Sequence, residues 1–213
     1  MRMTSTAVQS GLHRESTGNG GMLNDRQVAH ATPYASTGSG QDENIEDARC
    51  AAHYLTICEL VQRHVGEGTV LEVGCGGGRL FHYLTEHAGM PAALYTGIDR
   101  CGDAVRRAAA HFPEAGFARR DYGSESVASR FDCVIFNDSL QCFDDPAAVL
   151  DKCVDRNMHA CSVLIVAIAA GRHDADWEWL AQRYRVVDEQ RITDADGSVW
   201  LLRTLRLQDS QHC

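Results

Sequence analysis

The 213-residue chain predicts an α/β fold built on a doubly wound, mostly parallel sheet. Two observations carry that expectation. From Asn44 onward, short β-forming runs alternate with stretches whose apolar residues recur every three or four positions, and strands joined through helices run parallel with both faces covered. Within the alternation, Val70-Leu71-Glu72-Val73 breaks into Gly74-Cys75-Gly76-Gly77-Gly78, a glycine-rich turn that opens a helix. Such a turn lets backbone approach a ligand closely, and the helix that follows offers unpaired N–H groups.

Residues 1–43 are rich in Gly, Ser, Thr, Asn and Gln, a composition that buries too little apolar surface to offset the entropy of ordering. They are expected to form a disordered or lid-forming segment, with 22–34 its least polar part. A helix is expected over 44–64, where Ile45, Ala48, Ala51, Ala52 and Leu55 keep a helical spacing and Gly66 and Gly68 end it. The strand 69–73 follows, then helix 79–88, strand 93–98, helix 103–111, strand 116–119, a short helix near 124–129 and strand 131–136. The second half reads as helix 146–157, strand 162–169 and helix 174–183. Runs 184–192 and 198–207 flank Asp194-Ala195-Asp196-Gly197, a hairpin turn. One domain over 44–207, with a tail at 208–213, accounts for the pattern.

Composition narrows the function. Net charge is −9 and the 20 basic residues are not gathered into a stripe, which disfavours nucleic acid as a partner. The longest apolar run, 163–170, falls far short of the roughly 20 residues a membrane span needs. No signal-peptide core opens the chain, so no membrane association and a cytoplasmic location are expected. Nine cysteines without a C-x-x-C pair read as reduced thiols used as small apolar residues, and no metal site is expected. Lys152 is the sole lysine, and its place in a helix argues against Schiff-base chemistry.

A dinucleotide fingerprint requires G-x-G-x-x-G after an apolar strand. Here Arg79 takes the last glycine position and Glu72 stands two residues before Gly74, where its carboxylate is expected to face a ligand and suits a cationic amine. On these residues the chain resembles the class I S-adenosylmethionine-dependent methyltransferases, whose first motif is an acid followed by G-x-G-x-G. The resemblance implies S-adenosyl-L-methionine as cofactor and a Rossmann-like seven-stranded sheet whose last strand is antiparallel.

Asp99 ends the second strand 21 residues after Gly78, the distance at which a doubly wound fold sets an acid against ribose hydroxyls. Asp121, after the third strand, is implied by the resemblance to accept from the adenine amino group, with Tyr122 as an aromatic wall beside it. The cofactor-binding set so implied is Glu72, Gly74, Cys75, Gly76, Gly78, Asp99, Arg100, Asp121, Tyr122 and Asn137. The fourth motif, Phe131 to Phe143, has Leu140-Gln141-Cys142 where small-molecule members of the family often carry His. It also lacks the Asn or Asp followed by Pro-Pro and an aromatic that marks nucleobase amino methylation. If the acceptor must lose a proton, the catalytic candidates are Asp138 and His173, both at expected strand ends.

The resulting expectation is methyl transfer to a small-molecule acceptor. Specificity would come from short loops, the helix 44–64, the N-terminal segment or the second subunit of a homodimer. The alternatives are a protein side-chain methyltransferase and a non-catalytic S-adenosyl ligand-binding protein of the same fold. An NAD(P)-dependent oxidoreductase is disfavoured by Arg79 and Glu72.

Overall fold

The computed structural model describes residues 51–170 and 174–208. The N-terminal segment 1–43, positions 44–50 of the expected first helix, His173 and the end of the C-terminal tail lie outside the described residues. The elements are α1 (Ala51–His64), β1 (Val70–Val73), α2 (Arg79–Ala88), β2 (Tyr95–Asp99), α3 (Gly102–His111), β3 (Gly116–Arg119), β4 (Phe131–Asn137), α4 (Pro146–Asn157), β5 (Met158–Ala169), α5 (Asp174–Arg183), β6 (Arg185–Thr193) and β7 (Val199–Arg206). They form one seven-stranded sheet in the order β3-β2-β1-β4-β5-β7-β6, in which only β7 runs antiparallel to its neighbours. The expected sheet is therefore the observed one, with β7 inserted between β5 and β6.

Alternate residues of the buried strands feed two cores, as the period of two along a strand requires. Val70, Tyr95, Cys133, Ile135, Ile165 and Ala167 pack with Ile57 and Leu60 of α1 and Leu80 and Leu84 of α2. Leu71, Val73, Ile98, Val134, Phe136 and Val166 pack on the other face with Leu150 and Cys153 of α4 and Leu180 of α5. Register between β1 and β4 is pinned at their N-terminal ends by Asp132, whose Oδ2 accepts from the N–H and the hydroxyl of Thr69, both at 2.8 Å.

The short helix expected over 124–129 does not form. Its carbonyls find side-chain partners instead of helical N–H groups. The amide nitrogen of Asn157 donates to the carbonyls of Val127 and Ser129, and Lys152 donates to those of Tyr122, Gly123 and Glu125. Satisfied backbone groups remove the drive to coil. This also gives the lone lysine a structural task.

Strand order reverses between β1 and β4, and in an open α/β sheet ligands bind beyond the carboxyl ends of the strands at that crevice. Asp99 and Asn137 stand at the carboxyl ends of β2 and β4, and Gly74 directly follows β1. Because β7 is antiparallel, the hairpin joining β6 to β7 returns to the same edge. No helix among the described residues is long and apolar enough to cross a membrane.

Candidate active site

The turn after β1 contains three glycines at positive φ, Gly74 at 85°, Gly76 at 52° and Gly78 at 86°, a conformation other residues adopt only with strain. Their surroundings differ in a telling way. A Cβ on Gly74 would lie 2.5 Å from the Cβ of Ser139, and one on Gly78 would lie 3.0 Å from the Phe117 ring. A Cβ on Gly76 would meet nothing within 4 Å. Two of the glycines thus permit packing, and the third faces open space.

Asp99 holds this turn in place. Its Oδ2 accepts from the N–H of Gly76 at 2.9 Å and its Oδ1 from the N–H of Cys101 at 2.7 Å. Each carboxylate oxygen has two acceptor sites, so both retain capacity for a further hydroxyl donor. Beside it, Arg100, Cys101, Arg119, Asp121 and Glu125 line an open recess of about 640 Å³. Asp121 is exposed on this wall, with Oδ1 accepting from the N–H of Gly123 at 3.0 Å.

Two expected cofactor contacts look different in the structure. Tyr122 does not wall the recess: it is 3% exposed and packed in the core, with its hydroxyl donating to Oδ1 of Asn157 at 2.7 Å and Lys152 lying 4.1 Å from the ring centre. Burial of so large a ring outweighs any local preference for the pocket. Glu72 is only 2% exposed, and the Tyr95 hydroxyl donates to its Oε2. Desolvation pushes its carboxyl up to about 8, against the smaller opposing effect of the Tyr95 hydrogen bond.

Cys75 is likewise buried, and burial pushes its thiol far above the ordinary range, which makes it inert packing. Among the described residues Cys58, Cys75, Cys101, Cys133, Cys142 and Cys153 are free thiols. Among the described residues no group of His, Cys, Asp and Glu is arranged to hold a metal ion.

At the end of β4, the buried Oδ1 of Asn137 meets no hydrogen-bond partner among the described residues. Asp138 follows with φ of 51°, the one positive-φ residue other than glycine among those described. Its N–H donates to the carbonyl of Ala167 at 2.8 Å, and its Oδ1 accepts from the Gln141 amide. The hydroxyl of the buried Ser139 then donates to the carbonyl of Val73, tying the β4 loop to the end of β1. His173, the other catalytic candidate, lies outside the described residues.

Sequence reasoning missed two residues at this edge. His53, 2% exposed in α1, is joined to Asp194 of the β6–β7 hairpin by two hydrogen bonds. Its ring stacks on Trp200 at 3.9 Å, and in the next residue Tyr54 lies under the guanidinium of Arg79 at 5.4 Å. The partners are 141 positions apart, and no local motif announces the pair.

Residues 71–157 match the family model of a methyltransferase domain. No curated protein matches the chain by sequence. Among solved structures, the N-methyltransferase NodS from Bradyrhizobium japonicum WM9, in complex with S-adenosyl-L-homocysteine, is similar with a TM-score of 0.62 at 20% identity, over 80% of this chain and 94% of that one. The PH0226 protein from Pyrococcus horikoshii OT3 gives 0.60 at 19% identity, over 78% and 94%. The plantazolicin methyltransferase BpumL, in complex with a monoazolic desmethylPZN analog and S-adenosyl-L-homocysteine, gives 0.57 at 13% identity, over 73% and 83%. The glycine turn and the strand order agree with the methyltransferase domain matched over residues 71–157, and the chain shares the fold of these solved structures.

Proposed function

We infer that the protein transfers a methyl group from S-adenosylmethionine to a small-molecule acceptor at the β1–β4 crevice. The observation that carries this reading is Gly76: its bare Cα faces open space, and its N–H is fixed by Asp99. A cradle of that kind fits a ligand backbone and has no packing purpose.

The residues present suit the cofactor by chemistry. Asp99 supplies two oxygens for ribose hydroxyls, Arg100 and Asp121 border the recess for the adenine, and Asn137 offers an unpartnered carbonyl oxygen to an amine. Glu72, neutral while buried against Tyr95, becomes a carboxylate when a cationic amine lies close, because the added positive charge favours its ionised form. S-adenosylmethionine supplies a methyl carbon already activated by its sulfonium. The chain's own task is then alignment and exclusion of water, and alignment alone contributes several kcal/mol, of the roughly 7–11 that proximity can supply.

Support for a small acceptor comes from the short connections at the carboxyl edge and from the neighbours NodS and BpumL, themselves methyltransferases. We assign the cofactor-binding domain to 44–207 and a role in acceptor turnover to 1–43. Calorimetry with S-adenosylhomocysteine, followed by labelled methyl transfer to a panel of small amines, phenols and thiols, tests the reading. Deleting 1–43 is expected to preserve affinity for S-adenosylhomocysteine and lower transfer. Failure to bind S-adenosylhomocysteine overturns the reading.

A further inference from the structure

The His53–Asp194 pair has the organisation of a base held by a carboxylate, and it stands at the carboxyl edge of the sheet, where the β6–β7 hairpin meets α1 and the charges of Arg79 and Asp138 act on it. Asp194 grips both ends of the residue: Oδ1 accepts from the His53 N–H at 3.1 Å and Oδ2 pairs with Nδ1 at 2.7 Å. A carboxylate at Nδ1 selects the tautomer with its proton on that nitrogen and leaves the lone pair on Nε2. That Nε2 is buried and meets no hydrogen-bond partner among the described residues. A buried nitrogen with an unused lone pair is costly in a packed protein, and its persistence points to a ligand.

Trp200 fixes the plane of the ring from β7 and Tyr54 lies against it on α1, so the imidazole has one orientation. The charged groups acting on it come from three elements: Asp194 from the hairpin, Arg79 from α2 and Asp138 from the end of β4. Desolvation is the largest influence and lowers its pKa, against the raising effects of Asp194 and Asp138. The ring is therefore neutral, and able to accept a proton, at neutral pH.

We propose that His53, oriented by Asp194, is the proton acceptor for methyl transfer to an acceptor that must lose a proton. The inference rests on the methyltransferase reading above. A lone pair on the acceptor's nitrogen, oxygen or sulfur forms the new bond to the methyl carbon while the carbon–sulfur bond breaks with its electron pair going to the sulfonium sulfur. The acceptor's proton moves to Nε2 of His53. The imidazolium so formed is stabilised by the Asp194 carboxylate and returns the proton to solvent after product leaves. Asp194 is a positioning residue, since it acts through the ring.

The first test needs no acceptor. The full chain, labelled with nitrogen-15 at histidine and saturated with S-adenosylhomocysteine, is expected to show His53 neutral at pH about 7, protonated on Nδ1 and bare on Nε2. A proton on Nε2 overturns the proposal. In the second, labelled transfer to the amine, phenol and thiol panel is expected to fall about 10²-fold in His53→Gln, with affinity for S-adenosylhomocysteine kept within about threefold and the acid limb of the pH–rate profile abolished. Asp194→Asn, whose amide can donate to Nδ1, is expected to move the proton to Nε2 and lower transfer to a similar extent. Turnover by His53→Gln within about threefold of the unaltered protein, with its acid limb intact, refutes the base role. Absence of S-adenosylhomocysteine binding in the unaltered protein instead refutes the underlying reading.

Discussion

Asp99 and Gly76, 23 positions apart in sequence, meet through a 2.9 Å hydrogen bond in which the glycine N–H donates to Oδ2. One carboxylate thereby shapes the turn after β1 while also closing the turn into α3 through Cys101. On the proposed reading, ribose recognition and turn geometry depend on the same side chain. Asp99→Ala is expected to weaken S-adenosylhomocysteine binding by about 1 to 3 kcal/mol, the scale of hydrogen bonds to a charged group. Asp121→Ala, altering an exposed carboxylate, is expected to cost less. Isothermal calorimetry on both variants checks the order, and a larger loss at Asp121 contradicts it.

The three turn glycines should separate stability from binding. Gly74→Ala drives a Cβ into Ser139 and imposes a positive φ on alanine, for a loss of about 3 kcal/mol in folding stability. Gly76→Val enters open space and should cost mainly the strain of its φ, about 1 to 2 kcal/mol, yet it should abolish most cofactor affinity. Melting temperature and calorimetry together read the two effects. A folded Gly76→Val protein that binds normally would remove the cradle from the site.

Glu72 predicts a pH dependence with a definite sign. Its folded-state value of about 8 lies above the value of about 4.3 expected in an unfolded chain, so between them the folded state holds the extra proton. The stability contributed by the neutral carboxyl is full below the lower value and is lost as pH rises through the upper one. Ligand-free protein should therefore lose stability from about pH 5 to about pH 9, and Glu72→Gln should flatten that part of the profile. Denaturant melts across this range measure it. An unchanged slope in Glu72→Gln would show that Glu72 is ionised in the folded protein.

Asn157 joins three segments: it accepts from the Tyr122 hydroxyl and donates to the carbonyls of Val127 and Ser129. Asn157→Ala leaves three buried or half-buried groups unpaired and should cost about 2 to 4 kcal/mol. Amide exchange should quicken over 122–130, the stretch that these bonds hold out of a helix. Protection there equal to that of the unaltered protein would shift the loop's stability to Lys152.

What the sequence determined by itself is the order of elements and the glycine-rich turn after β1. Helices such as Arg79–Ala88 and Pro146–Asn157 fall at the expected bounds because their signals are local: a glycine before one, and Asp145 capping the other with Pro146 in its first turn. The glycine run and Asp99 were legible for the same reason, since close backbone approach demands particular residues at fixed spacing. Tertiary structure alone decided the rest. Tyr122 was drawn into the core by the burial of its ring and by Asn157, and 124–129 stayed uncoiled because side chains of α4 took its carbonyls. His53 and Asp194 became a pair only when β7 ran back antiparallel and carried the hairpin to the helix α1. A contact across 141 residues leaves no periodicity in the chain, because its energy comes from burial and charge pairing that exist only once the sheet has closed.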